Sequence, residues 1–277
     1  DRSGNDRADA GDGGKVVPGP GRDGSGPDAA PACLRDTAGL PVNPQAGANR
    51  VRRAWSRLLT TGPKRSLDYA RHLVSERYHE TRLGIRTAGS VKTAAVAQRP
   101  GLCKPYAPIP YRSFLAVMQR VEIRPDEDVF LDYGAGRGRA MVLAARLPFR
   151  RVIGVEIDPG LVETARENIR RVSHRLRCRD VEIVASDAAE FGCPDDATVL
   201  HFFDPFAGII LEQVVESVRA SLQRAPRKLM ILFADPNHFA PLAAASGWLL
   251  KQGEVSYPFV RGAEMIRESY YIYRAVS

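Results

Sequence analysis

The reading of this chain turns on "FLDYGAGRGRAMVLAARL", Phe130 to Leu147, in which Gly134, Gly136 and Gly138 alternate between a strand-like apolar run and a helix-like one. A strand that ends in a glycine-rich turn and opens into a helix presents backbone and a helix N-terminus at the carboxyl end of the strand, where a nucleotide-like ligand can lie. The spacing narrows the ligand. A dinucleotide fingerprint, G-x-G-x-x-G, would place its third glycine at 139, but Arg139 stands there and Gly138 comes one residue early. A pyrophosphate cradle is therefore disfavoured. A tight turn with no ligand would suit Gly136 alone, whereas three alternating glycines cost more chain entropy than one turn needs.

Working outward, from Tyr111 onward short apolar runs alternate with helical runs, the pattern of a parallel sheet covered on both faces. Strands are expected near 129–133, 152–156, 181–186, 197–203 and 228–234, with helices near 138–147, 159–173 and 208–223. The second helix has a clear start, Asp158 as N-cap and Pro159 at the first helical position. Two strand-like runs, "GWLLKQGEVSY" and "ESYYIYRAV", close the chain with no helix of more than a turn between them, and are expected to pair antiparallel. The fold expected is α/β, a doubly wound, mostly parallel seven-stranded sheet with an antiparallel C-terminal strand pair.

Two acids fall at the carboxyl ends of further strands. Glu156 lies twenty residues after Gly136, where a carboxylate can accept both hydroxyls of a ribose; the alternative is an exposed acid before a helix, beside Asp158. Asp187, in "VASDAAEF", offers a side-chain acceptor and, with the N–H of Ala188, can read the amino edge of a purine; the alternative is an N-cap for a short helix. The fourth strand runs into "HFFDPF", His201 to Phe206. There Asp204 points into the crevice, Pro205 stiffens the turn and Phe206 can wall an acceptor. His201 alternates to the opposite side from Asp204 and reads as a packed histidine, while His238 in "DPNHF" stands nearer the rim beside Asn237 or Asp235, either of which can cap the next helix.

These positions together resemble the class I S-adenosylmethionine-dependent methyltransferases, over residues 111–277. "DYGAGRG" is similar to the family's D/E-x-G-x-G-x-G motif, Glu156 falls on the ribose-binding acid and Asp187 on the adenine-binding acid. The resemblance implies a Rossmann-like fold and S-adenosylmethionine as cofactor, bound by Asp132, Gly134, Ala135, Gly136, Gly138, Glu156, Asp187 and Ala188. It needs neither a metal nor a covalent nucleophile. "DPF" is similar to the N/D-P-P-Y/F motif of enzymes that methylate amino nitrogens, without its second proline, which implies Asp204, Pro205 and Phe206 at the acceptor. Methyl transfer from a sulfonium is an in-line displacement, so positioning and exclusion of water are the main demands. Other readings are a non-catalytic nucleic-acid- or partner-binding protein that keeps the fold, and a nicotinamide-dependent oxidoreductase; the latter leaves "SDAAEF" and "DPF" unexplained.

Upstream, "YHETRLGIRTAG" and "YAPIPY" are similar to a leader found ahead of the core in a group of bacterial methyltransferases. Tyr106 and Tyr111, separated by Pro108 and Pro110, can fold across the cofactor as a lid or pack the leader onto the sheet. A helix is expected from Ser66 as N-cap, with Leu67, Tyr69 or Ala70, Leu73, Val74 and Tyr78 near one face that lies on another element. Pro100, Pro105, Pro108 and Pro110 exclude regular helix or central strand after it, so that stretch must be draped or mobile.

Residues 1–50, dense in Gly, Asp, Pro and Ala, read as a disordered tail. Residues 51–110 form a basic leader and 111–277 the core. The net charge of +8 divides as −1 over 1–50, +11 over 51–124 and −2 over 125–277. The basic segment suits an anionic acceptor or merely solvates its helices with Arg. Strong nucleic-acid binding at physiological salt is not expected, because Trp55, Tyr69, Tyr78, Tyr106 and Tyr111 mostly suit helix packing. The four cysteines, Cys33, Cys103, Cys178 and Cys193, never form a CxxC pair, so neither zinc nor a disulfide framework is suggested. With no secretory or membrane-spanning pattern, a cytoplasmic location is expected. The methyl acceptor itself is not identified.

Overall fold

Val129–Tyr133 forms β1, buried along its whole length, and every other strand is placed relative to it. The computed structural model describes residues 63–234, 237–261 and 264–276. The remaining strands are β2 (Arg151–Glu156), β3 (Asp180–Ala185), β4 (Val199–Phe203), β5 (Met230–Ala234), β6 (Leu249–Arg261) and β7 (Glu264–Ala275). They form one seven-stranded sheet in the order β3-β2-β1-β4-β5-β7-β6. The first five run parallel, and β7 is antiparallel to both β5 and β6. The order reverses between β1 and β4, so their carboxyl ends flank a crevice that no crossover helix covers.

Seven helices are described: α1 (Pro63–Leu83), α2 (Ala94–Gln98), α3 (Tyr111–Met118), α4 (Arg139–Ala144), α5 (Pro159–Val172), α6 (Gly208–Arg224) and α7 (Phe239–Ser246). Side chains alternate across the sheet. Phe130 and Val199 join the core under α3, α4 and α5, while Leu131, Tyr133, Leu200 and Phe202 join the core under α6 and α7. On the latter side Tyr133, Phe202, Phe233 and Phe239 stack in succession, with centroids 4.9, 5.1 and 4.5 Å apart. Asp158 caps α5 as expected, accepting from Leu161 N at 3.0 Å ahead of Pro159.

Three expectations change. Helix α1 begins at Pro63, three residues before Ser66, because proline suits the first turn of a helix. The apolar face read along α1 is not its docking face: Leu67, Leu73, Val74 and Tyr78 are exposed. Instead α1 docks through Leu83, buried in the core at its C-terminal end, and through polar groups, Glu76 and Glu80 pairing with Arg139 and His79 stacking on Tyr111. Finally, α4 is shorter than the helix expected near 138–147. The stretch 84–110 is draped over the core as its prolines require, fixed by the short α2 and an antiparallel bridge between Val91 and Tyr106. The tail at 1–50 lies outside the described residues.

Candidate active site

The carboxyl ends of β1, β2, β3 and β4 open onto one cavity of about 910 Å³, the space at its mouth included. Its floor carries Asp132 and Gly134 from β1, Glu156 from β2, Asp187 from the turn after β3 and Asp204 from the turn after β4; leader residues 93–109 roof it. Ala135, Ala188, Tyr106, Pro205 and Phe206 also line it. All the sequence-derived site residues except Gly136, Gly138 and Tyr111 thus line it, converging from four separate strands, with two qualifications.

The first concerns Tyr111. It is fully buried, stacked on His79 at 5.0 Å and lying under the Arg139 guanidinium at 4.1 Å, and it does not line the cavity. Burial pushes its hydroxyl up to about 12. It belongs to the joint between leader and core, and of the two tyrosines only Tyr106 reaches the site.

The second concerns the glycines. All three have positive φ, 73° at Gly134, 55° at Gly136 and 77° at Gly138, where side chains are disfavoured. What approaches them is largely the protein itself. A Cβ on Gly134 would stand 2.3 Å from Pro205 Cβ, one on Gly136 would stand 2.3 Å from the Tyr106 ring, and one on Gly138 would stand 3.1 Å from Ala165 Cβ of α5. Gly134 thereby admits the Asp204–Phe206 turn, Gly136 admits the leader tyrosine, and Gly138 lets α5 pack closely.

Glu156 is buried, and its Oε2 accepts from Gly136 N and its Oε1 from Asp158 N, each at 2.9 Å. Burial nevertheless raises its carboxyl above the ordinary value, since removing the anion from water outweighs the two backbone donors. Asp187 accepts from Ala189 N at 3.0 Å and is ion-paired with Arg99, a leader residue at the end of α2. No helix directly follows Asp187; its side chain closes the turn at 188–190 while it lines the cavity. Asp132 accepts or shares a proton with His201 Nδ1 at 2.6 Å. Asp204 is held at φ 42°, in a region that residues other than glycine rarely occupy.

The leader is stitched to the acceptor turn by backbone. Lys104 N donates to Pro205 O at 3.0 Å, Ala207 N donates to Leu102 O at 2.8 Å, and Cys103 bridges Phe206. Phe206 is almost fully buried, edge-on to Tyr133 and Phe202, so it serves as wall and core together. Lys104 Nζ stands 3.4 Å from His238 Nε2 at the rim. Arg99, Lys104 and the His201 bond were not read from sequence as parts of the site, because partners separated by 69 to 134 residues leave no local pattern.

Residues 130–225 match the family model of a methyltransferase domain. That stretch of the chain is similar to a methyltransferase domain. Two stretches of curated relatives align with it. A ribosomal protein L11 methyltransferase of Burkholderia lata is 41% identical over 73 residues, 26% of this chain and 21% of that protein. One of Burkholderia cenocepacia is 45% identical over 49 residues, 18% of this chain and 16% of that protein. The chain therefore spans about a fifth or less of the length of these relatives. Among solved structures, an RNA methyltransferase from Salinibacter ruber in complex with S-adenosyl-L-homocysteine is 22% identical with a TM-score of 0.43, covering 61% of this chain and 94% of that one. A precorrin-6y C5,15-methyltransferase from Geobacter metallireducens is 18% identical with a TM-score of 0.47, covering 61% and 90%.

The donor set of the cavity suits a cationic, phosphate-free ligand such as S-adenosylmethionine. The carboxylates at the strand ends, Asp132, Glu156, Asp204 and the Arg99-paired Asp187, can hold an ammonium, a sulfonium and ribose hydroxyls. Among the described residues no helix is long and apolar enough to cross a membrane.

Proposed function

We propose that this chain is an S-adenosylmethionine-dependent methyltransferase that transfers its methyl group to a nitrogen by in-line displacement. The observation that carries the reading is the convergence of Asp132, Glu156, Asp187 and Asp204 from the ends of four strands on one roofed cavity. S-adenosylmethionine supplies the methyl group as a sulfonium when bound. In this reading Glu156 accepts the ribose hydroxyls, Asp187 with the Ala188 N–H faces the adenine amino edge, and Asp132 holds the cationic amino group. Gly134, Ala135, Gly136 and Gly138 shape the turn that brings Asp132 and Glu156 together.

Asp204 takes the acceptor side. Its carboxylate accepts a hydrogen bond from the acceptor N–H, orients the lone pair and stabilises the cation that develops on the nitrogen. Pro205 fixes the turn against Gly134, and Phe206 forms an apolar wall. Tyr106, packed on Gly136 with its hydroxyl donating to Thr87 O at 2.6 Å, excludes water from the roof. The basic leader selects the acceptor, with Lys104 beside the turn after β4 suiting an anionic group on it.

Isothermal titration with S-adenosylhomocysteine tests the cofactor half; no binding at high micromolar ligand would sink it. Incubating a cell extract with labelled S-adenosylmethionine, with and without the protein, and separating protein, nucleic acid and small molecules identifies the acceptor class. Label that appears in no fraction only when the protein is added would count against transfer.

A further inference from the structure

The register between β1 and β4 sets Asp132 directly opposite His201. Both side chains project to the same face, and both line the cavity. His201 Nδ1 lies 2.6 Å from Asp132 Oδ1, and its Nε2 lies 2.8 Å from the hydroxyl of Tyr270 on β7. The three groups are withdrawn from solvent, with exposures of 3% for Asp132, 1% for His201 and 0% for Tyr270. Around the imidazole the walls are aromatic. Phe130 stacks on it at 5.7 Å, and Phe114 meets it edge-on at 5.6 Å.

A polar chain in such surroundings is costly unless every member is bonded, and an apolar residue at position 201 would pack there without that demand. The chain ends at the cavity, which gives it a role there. We propose that His201 is a positioning residue that holds the Asp132 carboxylate for the amino-acid end of the cofactor, with Tyr270 locking the imidazole from behind. This rests on the methyltransferase reading above.

The direction of the bonds follows from Asp132 and Tyr270 together. The Asp132 carboxylate only accepts, so Nδ1 carries the proton facing it and Nε2 is left to accept from Tyr270, whose hydroxyl burial keeps protonated by pushing it well above the ordinary range. A neutral ring then carries its own proton on Nδ1, aimed at Asp132. One carboxylate oxygen is thereby committed, and the carboxylate plane is fixed while the group still lines the cavity. Hydrogen bonding of this kind to a ligating carboxylate is how an outer residue sets the orientation of one that touches the ligand.

The test compares two ligands. S-adenosylhomocysteine carries the amino-acid end, whereas 5′-methylthioadenosine keeps the adenosine and the thioether but lacks that end. Titration calorimetry with both is run on the wild-type chain and on His201→Phe, His201→Asn and Tyr270→Phe. The expected result is that His201→Phe weakens S-adenosylhomocysteine by roughly tenfold or more, the scale of a lost hydrogen bond to a charged group, and leaves 5′-methylthioadenosine unchanged. His201→Asn, which retains an N–H donor, recovers part of the loss, and Tyr270→Phe gives a smaller loss with the same selectivity. Equal binding of S-adenosylhomocysteine by wild type and His201→Phe overturns the proposal, as does an equal loss of both ligands. A wild-type chain that binds neither ligand instead removes the methyltransferase reading. Should His201→Phe fail to fold, the nitrogen NMR signature of His201 in the wild-type chain decides, and a proton on Nε2 rather than Nδ1 overturns the assignment.

Discussion

Asp204 holds φ 42° immediately before Pro205, a conformation that costs on the order of 1–3 kcal/mol and persists only where surrounding structure enforces it. The enforcement is visible: the turn is pinned by Lys104 N on Pro205 O and pressed against Gly134. Asp204→Asn keeps a side chain that tolerates this conformation and removes the charge. It is expected to leave S-adenosylhomocysteine affinity unchanged and to lower turnover about a hundredfold or more. Unchanged turnover in the labelling assay would remove Asp204 from the mechanism. Glu156 yields a pH prediction. Its folded carboxyl titrates above the ordinary 4.5, so between 4.5 and that raised value the folded chain binds more protons than the unfolded one. Stability therefore falls as pH rises through this window. Glu156→Gln should flatten that slope in urea titrations at stepped pH while weakening S-adenosylhomocysteine.

The elements that matter most are the glycine turn and the leader, and Arg139 joins them. It occupies the position that excluded a dinucleotide fingerprint, and in the structure it is 3% exposed at the start of α4. Its guanidinium pairs with Glu76 and Glu80 of α1, and donates to Thr87 Oγ1 at 2.6 Å and Ile109 O at 2.7 Å. Arg139→Ala strands two largely buried carboxylates, and a loss of about 3–5 kcal/mol in denaturant unfolding is expected. A loss below 1 kcal/mol would contradict the clamp. Asn168 of α5 works alongside, accepting from Arg86 N at 2.8 Å and donating to Arg86 O and Arg137 O. The close approach of Tyr106 to Gly136 is tested by a double-mutant cycle. Gly136→Ala should lower stability by about 1–3 kcal/mol, and Tyr106→Ala in that background should recover part of it by removing the clash but not the positive φ. Additive effects in thermal melts would speak against the contact.

At the scale of the whole molecule, the leader is a roof attached at both ends of the crevice, through Tyr106 at the glycine turn and Leu102–Lys104 at the acceptor turn. Arg99 adds a third tie by pairing with Asp187. Binding of S-adenosylhomocysteine beneath this roof should slow amide exchange over residues 99–106 together with the turns after β1 and β4. Protection confined to the β1 turn would show that the leader does not close over the ligand. The strands themselves, the antiparallel closing pair, and the acids at the ends of β1 to β4 were legible in the chain because each depends on local periodicity and on a residue standing at a strand end, whereas the strand order is set by pairing across the sheet. For Tyr111 the chain leaves lid and packing both open, since its proline-flanked spacing resembles that of Tyr106, and only three-dimensional packing separates a lid residue from a joint residue. The sequence alone thus determined the strands, the glycine turn and the four carboxylates, because alternation and turn chemistry act over a few residues. Only the tertiary structure decided that Arg139 clamps the leader, that Arg99 meets Asp187 and that His201 bonds Asp132. These contacts join segments 59 to 88 residues apart through register and packing, which no short stretch of chain records.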